Sequence, residues 1–338
     1  MRVKLILGMR WRPEVFRNVS PVERPWHFWL SQLSGAWKPI SLITALLTLF
    51  GLFGSFGWLL DLCGIFRAQY AILLFAGTVI FLAARKWTLC AISAIALATN
   101  LLLIVPLYIP QKANVQRGNS LRILVMNVNS RNREFQRVLA AIHDLSPDLI
   151  CIEEVDADWE RELRQNLPLY RHFAIQARPD NFGIAVFSRM PMESRIEYFG
   201  SARVPSVVAT VHDGSRSFVL VSTHPLPPRA LDYFLYRNDE LAQIGRFLAQ
   251  LSTPLVLAGD LNTPAWSPYF QKLCADAHLI DSEQGFGLQP TWPTNTSLFW
   301  IPIDHLLYRG NFRVVKRSTY PYVGSDHFPL CVDLVLSD

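Results

Sequence analysis

The sequence predicts an α/β protein, a four-layered α/β sandwich of two packed mixed β-sheets flanked by helices, preceded by an N-terminal helical transmembrane region. Three features of the residues point there. Apolar residues make up 51% of the 338-residue chain, and the excess lies between Pro39 and Pro110. Beyond residue 120 the pattern changes to short Val/Ile/Leu-rich runs alternating with amphipathic stretches, as strands and helices of a layered domain do. Polar residues repeatedly interrupt those runs at their ends, where open α/β sheets place their sites.

Residues 1–38 form a basic tail, with Arg2, Lys4, Arg10, Arg12, Arg17, Arg24 and Lys38 against only Glu14 and Glu23. Its surplus equals the net charge of the whole chain, +5. Residues 39–110 hold three apolar stretches, Ile40 to Leu60, Tyr70 to Ala84 and Trp87 to Ile109, each near the roughly 20 residues that cross a bilayer. A late first run followed by two more argues against a cleaved signal peptide. Cytoplasmic flanks favour Lys and Arg, so the tail and the Arg85-Lys86 hairpin are expected inside. Three spans then place the following domain on the extracytoplasmic side of a multi-pass cell-membrane protein, whereas two would leave it in the cytoplasm. Trp26, Trp29, Trp37, Trp87 and Tyr108 sit near the ends of the runs, where amphipathic rings favour the interface. Residues 111–120 read as a linker that reaches at most roughly 35 Å.

The catalytic domain is expected over residues 121–338. Strands are predicted at Arg122 to Val128, Leu149 to Ile152, Gly183 to Phe187, Val207 to Val211, Phe218 to Ser222, Leu255 to Ala258, Ile303 to Tyr308, Phe312 to Ser318 and Leu330 to Leu336. Phe135, Val138, Leu139 and Ile142 follow helical spacing, and a longer helix is predicted from Ala230 to Leu251. From Gly118 onward 20 Lys and Arg face 24 Asp and Glu, so the domain is mildly acidic. It lacks the basic stripe that phosphate-backbone binding needs, which weighs against a nucleic-acid substrate. The five cysteines show no ligand spacing, and Cys151 and Cys331 read as buried thiols.

The candidate residues follow in order. Asn127 ends the first strand; Glu153 and Glu154 end the second. His224 follows Val219-Leu220-Val221-Ser222-Thr223, and Asp260 and Asn262 follow Leu255-Val256-Leu257-Ala258-Gly259, with a spacing that turns both side chains the same way if the strand continues. Asp304 follows Ile301-Pro302-Ile303, and Asp326-His327 precede the last strand. Strand-end Asp and Asn are commonly turn formers, but six such interruptions in this order are not explained by turns.

These elements resemble the endonuclease/exonuclease/phosphatase superfamily, which includes deoxyribonuclease I, abasic-site endonucleases, sphingomyelinases and inositol polyphosphate phosphatases. The resemblance runs from Leu121 to Leu336. It is carried by Asn127, Glu153-Glu154 (where the family usually has Gln before its Glu), Phe187-Ser-Arg-Met-Pro191, Ser222-Thr-His224, Gly259-Asp-Leu-Asn262, Ile303-Asp-His305 and, with Gly-Asp-x-Asn the most specific, Gly324-Ser-Asp-His327. It implies a metal-dependent hydrolase of phosphoric esters or anhydrides. Asn127, Glu154 and Asp326 would hold Mg²⁺, with Mn²⁺ as the alternative, because hard cations prefer oxygen ligands. His327 held by Asp304 would be a base tuned near neutrality. Asp260 would orient or deprotonate the attacking water, Asn262 would donate to the phosphoryl oxygens, and His224 would bond the phosphate or protonate the leaving group. Glu153 is assigned the plainer role of a solvated carboxylate before the helix that starts at Asp156, and Trp292 is assigned to packing. Tyr233, Phe234, Tyr236 and Arg237 either pack their helix or line an entrance.

Helical region plus domain also resembles membrane-anchored members of the family linked to glycopeptide resistance, which act on polyprenyl pyrophosphate carriers. The expected partners are therefore the lipid bilayer and a phosphorylated substrate, a lipid-linked one first and nucleic acid second; no obligate protein partner is evident. A tethered nuclease and a non-enzymatic binding module are the alternatives.

Overall fold

The computed structural model describes residues 25–110 and 120–336; the tail up to Arg24 and all but the last residue of the expected linker lie outside the described residues. The helical region comprises α1 (Pro25–Leu52), the short α2 (Trp58–Leu62), α3 (Arg67–Ala83) and α4 (Trp87–Ile104), which continues as a 3-10 turn to Tyr108. α1 starts at Pro25 rather than Ile40, with Pro25 at its first turn where a missing N–H costs nothing, and it runs on through Gly35 and Pro39 to Leu52. Two segments, Trp26–Leu52 and Trp87–Tyr108, are long and apolar enough to cross a membrane; α3 is a shorter apolar helix. Their outer faces are bare: Ile43, Leu46 and Leu49 on α1, Ile72, Phe75 and Val79 on α3, and Ile95 and Leu102 on α4 are exposed. Between the helices Asn100 Nδ2 donates to Thr48 Oγ1 at 2.8 Å while its Oδ1 accepts from Arg67 at 3.3 Å.

The α/β domain follows with β1 (Ser120–Asn127), α5 (Phe135–Leu145), β2 (Leu149–Glu153), α6 (Ala157–Asn166), β3 (His172–Gln176), β4 (Ile184–Ser188), β5 (Met192–Glu197), β6 (Ser206–Asp213), β7 (Arg216–Ser222), α7 (Leu231–Ala249), β8 (Leu255–Asp260), α8 (Pro268–Ala277), β9 (Ile280–Asp281), β10 (Asp304–Arg309), β11 (Phe312–Thr319) and β12 (Leu330–Leu336). They form two six-stranded sheets, ordered β11-β12-β1-β2-β4-β3 and β5-β6-β7-β8-β10-β9. Each sheet contains one parallel pair, β1 with β2 and β7 with β8, and the remaining pairs are antiparallel.

The period of two along each strand builds the layers. Ile123, Val125, Leu149 and Cys151 of one sheet pack against Val207, Leu220, Val256 and Leu306 of the other. The alternate residues Leu124, Met126, Ile150 and Ile152 point outward, onto Val138, Ile142, Trp159 and Leu163 of α5 and α6. On the far side Val221, Leu255 and Leu257 meet Leu241, Ile244, Phe270 and Leu273 of α7 and α8. Two mixed sheets between two helical layers is the predicted sandwich. Strands β3 and β5 and helix α8 go beyond the predicted elements; β3 and β5 lie at sheet edges and carry polar, partly exposed sequences.

The domain does not hang from the helices at the length of a linker. Leu107 is buried among the residues of α7 and α8, and its carbonyl accepts bonds from Gly285 and Gly287 at 2.8 and 2.9 Å. Gln69 at the start of α3 donates to Trp300 O at 2.8 Å, and the Phe66 and Phe299 rings meet edge to face at 5.7 Å. The domain therefore seats directly on the end of the helical region formed by the last turn of α4 and the first turn of α3. Arg85 and Lys86 lie at the other end, around a hollow they share with Trp26 and His27.

Candidate active site

Strand direction gathers the candidate residues at one edge between the sheets. β1, β2 and β8 deliver Asn127, Glu153-Glu154 and Asp260 at their carboxyl ends, and His224 follows β7, which runs parallel to β8. Asp304 is not at a strand's carboxyl end as expected, whereas Asp326-His327 do precede the last strand. Asp304 opens β10 and pairs directly across from Asp260, because β10 runs antiparallel to β8. β12 likewise runs antiparallel to β1, so the chain reaches the same edge just before entering it.

The Gly259-Asp260-Leu261-Asn262 segment shows how local sequence sets the site. Gly259 has φ +141°, and a Cβ there would lie 2.0 Å from the Thr223 carbonyl, so only glycine lets β8 approach β7 this closely. The strand does not continue to Asn262, which turns into the left-handed region at φ +51°. Its N–H instead donates to Asp260 Oδ1 at 2.9 Å, the short local bond that Asp favours in turns. Asn262 Nδ2 donates to Pro225 O at 2.9 Å.

All eight predicted site residues lie on one network of hydrogen bonds and ion contacts. Asn127 Nδ2 donates to Glu154 Oε1 at 3.1 Å and to Asp260 Oδ2 at 3.2 Å. Asp260 Oδ2 also stands 3.5 Å from His224 Nε2 and 3.6 Å from His327 Nε2. The other nitrogen of His327, Nδ1, bonds Asp304 Oδ2 at 2.8 Å. Asp326 joins through Asn129, whose N–H donates to Asn127 Oδ1 at 3.0 Å and whose Nδ2 donates to Asp326 Oδ1 at 2.7 Å. Except for Asn262 and Asp326, which are partly open, these residues are buried.

Burial and charge then act against each other. Burial alone would lower the His327 pKa, but Asp304 and Asp260 outweigh it and raise it to about 10. His224 is likewise pulled down by burial and pushed up by Asp260, with a net rise. Asp260 is penalised by burial, yet His327 and His224 hold its pKa down, to about 2. The Asp260 carboxylate thus faces two imidazoles whose pKa values it raises, and His327, with two carboxylates within 3.6 Å, is held above the near-neutral range expected of it. Glu153 is not a solvated carboxylate either. It is fully buried between the sheets and both its oxygens lack a hydrogen-bond partner. Burial, then Asp304 and Asp260, raise its pKa well above the usual range, leaving a neutral acid with the shape of the Gln usual in the resembled family.

The donor set suits a hard divalent ion. Carboxylates of Glu154 and Asp326 and the amide oxygen of Asn127 are oxygen ligands; the two carboxylates border the same cleft as Asp260 and His327, and the Asn127 side chain lies behind them against Glu154. Asp260, Asp304 and His327 also offer ligand atoms within 4.8 Å of one another, and there His327 Nδ1 bonds Asp304 Oδ2 directly at 2.8 Å. A second acid–histidine group, Asp281, Glu283 and His305, is wholly buried and faces the Arg317 guanidinium, 3.8 Å from Glu283.

Sequence reasoning missed several supporting groups. Trp292 does more than pack, since its Nε1 donates to Asp326 Oδ2 at 3.2 Å. Ser325 Oγ donates to Asn127 O at 2.6 Å and accepts from the His327 N–H at 3.1 Å, tying the loop before β12 to the end of β1 in the same sheet. Asn129 was signalled only by the Asn-x-Asn repeat. Of the aromatic set on α7, Phe234 is buried in packing, Tyr233 lines the cleft, and Arg237 is buried.

The sequence pattern of the Endonuclease/Exonuclease/phosphatase family matches residues 124–327, more than half of the chain. The chain belongs to this family. Members of the endonuclease/exonuclease/phosphatase family are metal-dependent phosphoester hydrolases. Among solved structures, a humanised D. rerio TDP2 with 14 mutations is 15% identical with a TM-score of 0.55, over 64% of this chain and 98% of that one. The human Nocturnin catalytic domain with bound sulfate is 16% identical with a TM-score of 0.55, over 66% and 97%. An endonuclease/exonuclease/phosphatase from Beutenbergia cavernae is 20% identical with a TM-score of 0.53, over 65% and 72%. At these identities the likeness is one of fold. Comparison with curated proteins gives no significant match.

Proposed function

We propose that this protein is a membrane-anchored, divalent-metal-dependent hydrolase of phosphoester or pyrophosphate bonds, with a lipid-linked phosphate as its first substrate class. The observation that carries the reading is the composition of the cleft. Its volume is about 750 Å³; Glu154, His224, Asp260, Asn262, Asp326 and His327 line one part, and Leu62, Ile65 and Phe66 of the helical region line another, beside Ile301 and Pro228. A phosphate-binding floor under an apolar wall fits an amphiphile better than a polyanion, and the domain's excess of acidic residues points the same way.

Asn127, Glu154 and Asp326 would hold Mg²⁺ or Mn²⁺, which when bound would neutralise phosphate charge and polarise the phosphoryl group. The chain's own residues account for the rest. Ionised Asp260 accepts a hydrogen bond from the attacking water and takes its proton. The ring N–H groups of His224 and His327 donate to the phosphoryl oxygens, and one of them passes its proton to the leaving oxygen. Asp304 keeps the His327 ring oriented, and the Asn262 amide adds a neutral donor.

Charge supports one topology. With α1, α3 and α4 as three spans and the basic Arg85-Lys86 turn inside, the domain lies on the extracytoplasmic side. Its mouth then opens at the level of the first turn of α3. The test is a panel of phosphomonoesters, phosphodiesters, polyprenyl pyrophosphate, phospholipids, plasmid DNA and RNA with the full chain and Mg²⁺, beside Asp260→Ala. Loss of the reading follows from no Asp260-dependent hydrolysis in any arm, and cleavage confined to the nucleic acids replaces it with a tethered nuclease.

A further inference from the structure

The turn between α1 and α3 reaches into the α/β domain beside the site. Asp61 on α2 is 5% exposed, and both its oxygens are engaged by the domain: Oδ2 pairs with Arg237 Nη2 at 2.7 Å and Oδ1 accepts from Ser267 Oγ at 3.0 Å. Arg237 is 1% exposed, and its Nη1 donates to the backbone carbonyl of Asn262 at 3.1 Å. Rings of Phe234 and Tyr269 flank the guanidinium at 5.3 and 5.6 Å, fixing its plane. Trp58, on the same short helix, donates to Pro228 O at 2.7 Å, and Trp266 Nε1 returns a bond to Gly64 O at 2.8 Å. Pro225 and Pro228 belong to the loop after His224, and Pro225 O is the acceptor for the Asn262 side chain.

Asn262 therefore has supports on both sides that end on α2. It needs them, because a non-glycine residue at φ +51° is held in a sparsely populated conformation by its surroundings. A buried ion pair is a weak source of net stability, but its short charged bonds fix geometry.

We infer that Asp61, through Arg237, and Trp58, through the 225–228 loop, are positioning residues for Asn262, so that the helical region is a working part of the site rather than a tether. The inference rests on the reading of Asn262 as a donor to the phosphoryl oxygens.

The test is a double-mutant cycle on the full chain in detergent, with Mg²⁺ and the soluble diester bis(4-nitrophenyl) phosphate. Asp61→Asn keeps the shape and removes the charge. It should lower kcat about tenfold with KM within about twofold, the scale of a small misplacement of a reacting group. In an Asn262→Ala background the same change should cost less than about twofold, because its route of action is gone. A merely structural role would multiply both backgrounds equally, and that result, or an unchanged kcat, overturns the inference. If Asp61→Asn does not accumulate as folded protein, Trp58→Phe replaces it. That variant keeps the ion pair, and its expected loss of about threefold must likewise vanish in the Asn262→Ala background; a multiplicative or absent loss counts against the inference. Wild-type activity in Asn262→Ala alone would refute the role given to Asn262, a failure distinct from additivity.

Discussion

Replacing Asp260 with Asn removes one charge and almost no volume, and its consequences can be worked from four contacts. The carboxylate lies 3.5 Å from His224 Nε2 and 3.6 Å from His327 Nε2, and it accepts from the Asn127 amide at 3.2 Å and the Asn262 N–H at 2.9 Å. At an effective dielectric of about 20, opposite charges at this separation attract by about 5 kcal/mol, an upper bound on what each imidazolium loses. The two histidines should respond differently. His224 owes its raised pKa to Asp260 with a smaller share from Glu154, while burial opposes it, so in the variant it should fall below the ordinary histidine value. His327 keeps Asp304 at 2.8 Å and should stay protonated. The variant thus loses the water's acceptor and the partner that raises the His224 pKa, and kcat should drop by about 10³, within the usual range for acid–base groups. Steady-state rates on a soluble diester, with histidine ring NMR titrations in chelator, measure both effects. A kcat within fivefold of wild type, or a His224 that still titrates above its ordinary value, would refute the account of a shared central carboxylate.

Three further outcomes follow from the structure. Glu240 is fully buried, has one bond to Thr223 Oγ1 at 3.0 Å, and its pKa is raised by burial from the ordinary 4.5 to about 7. The stability that rests on its protonated form is therefore complete below pH 4.5 and lost as pH rises through about 7; Glu240→Gln should gain about 3 kcal/mol at pH 8 and little at pH 4, read from denaturation across that window. Gly259→Ala forces a Cβ to within 2.0 Å of the Thr223 carbonyl at φ +141° and should cost roughly 3 kcal/mol or more, seen as a large fall in melting temperature; a shift of only a degree or two would contradict the close approach. Leu298 and Phe299 are 66% and 47% exposed beside the first turn of α3. Changing both to Ser should raise KM about tenfold for a phosphate carried in vesicles and leave a soluble ester unaffected, and equal effects on both would show that this rim does not meet lipid.

What the sequence made legible depended on periodicity and spacing. Strands such as Ile123 to Met126 and Leu255 to Ala258 are buried on both faces, so continuous apolar runs marked them, and the polar residue that ends each run marked the site. Edge strands carry no such signal: His172–Gln176 and Met192–Glu197 are partly exposed and read as loop. The order of the motifs was visible, but strand direction was not. Asp304 was therefore assigned to a strand end, when antiparallel pairing makes it the first residue of β10. Charge state was the least legible property. Whether Glu153 is solvated or neutral, and whether His327 is a base or a cation, depends on which carboxylates lie within a few ångströms, and those neighbours come from strands distant in sequence. The same holds for Asp61, which in the sequence only interrupts an apolar region and in the fold is the partner of a buried arginine far along the chain.

That pairing bears on how a membrane hydrolase would select its substrate. A domain on a flexible linker samples many heights and angles above the bilayer, and its site meets soluble and lipid-borne phosphates alike. Here the buried Asp61–Arg237 pair, the two tryptophan bonds and the seating of Leu107 hold the domain at several separate points. A rigid body held at that many points has no freedom to lift or turn its mouth away. On the proposed orientation the cleft stays beside Phe66, at the depth where α3 enters the bilayer, and its apolar wall continues the lipid-facing surface of Ile72 and Phe75. Depth then becomes a specificity filter: a phosphate reaches Asp260 easily when its apolar tail can remain along that wall, and a phosphate without a tail gains nothing from it. Selection of this kind needs no pocket shaped to one headgroup, which is consistent with a floor built almost wholly from groups that bind and cleave phosphate.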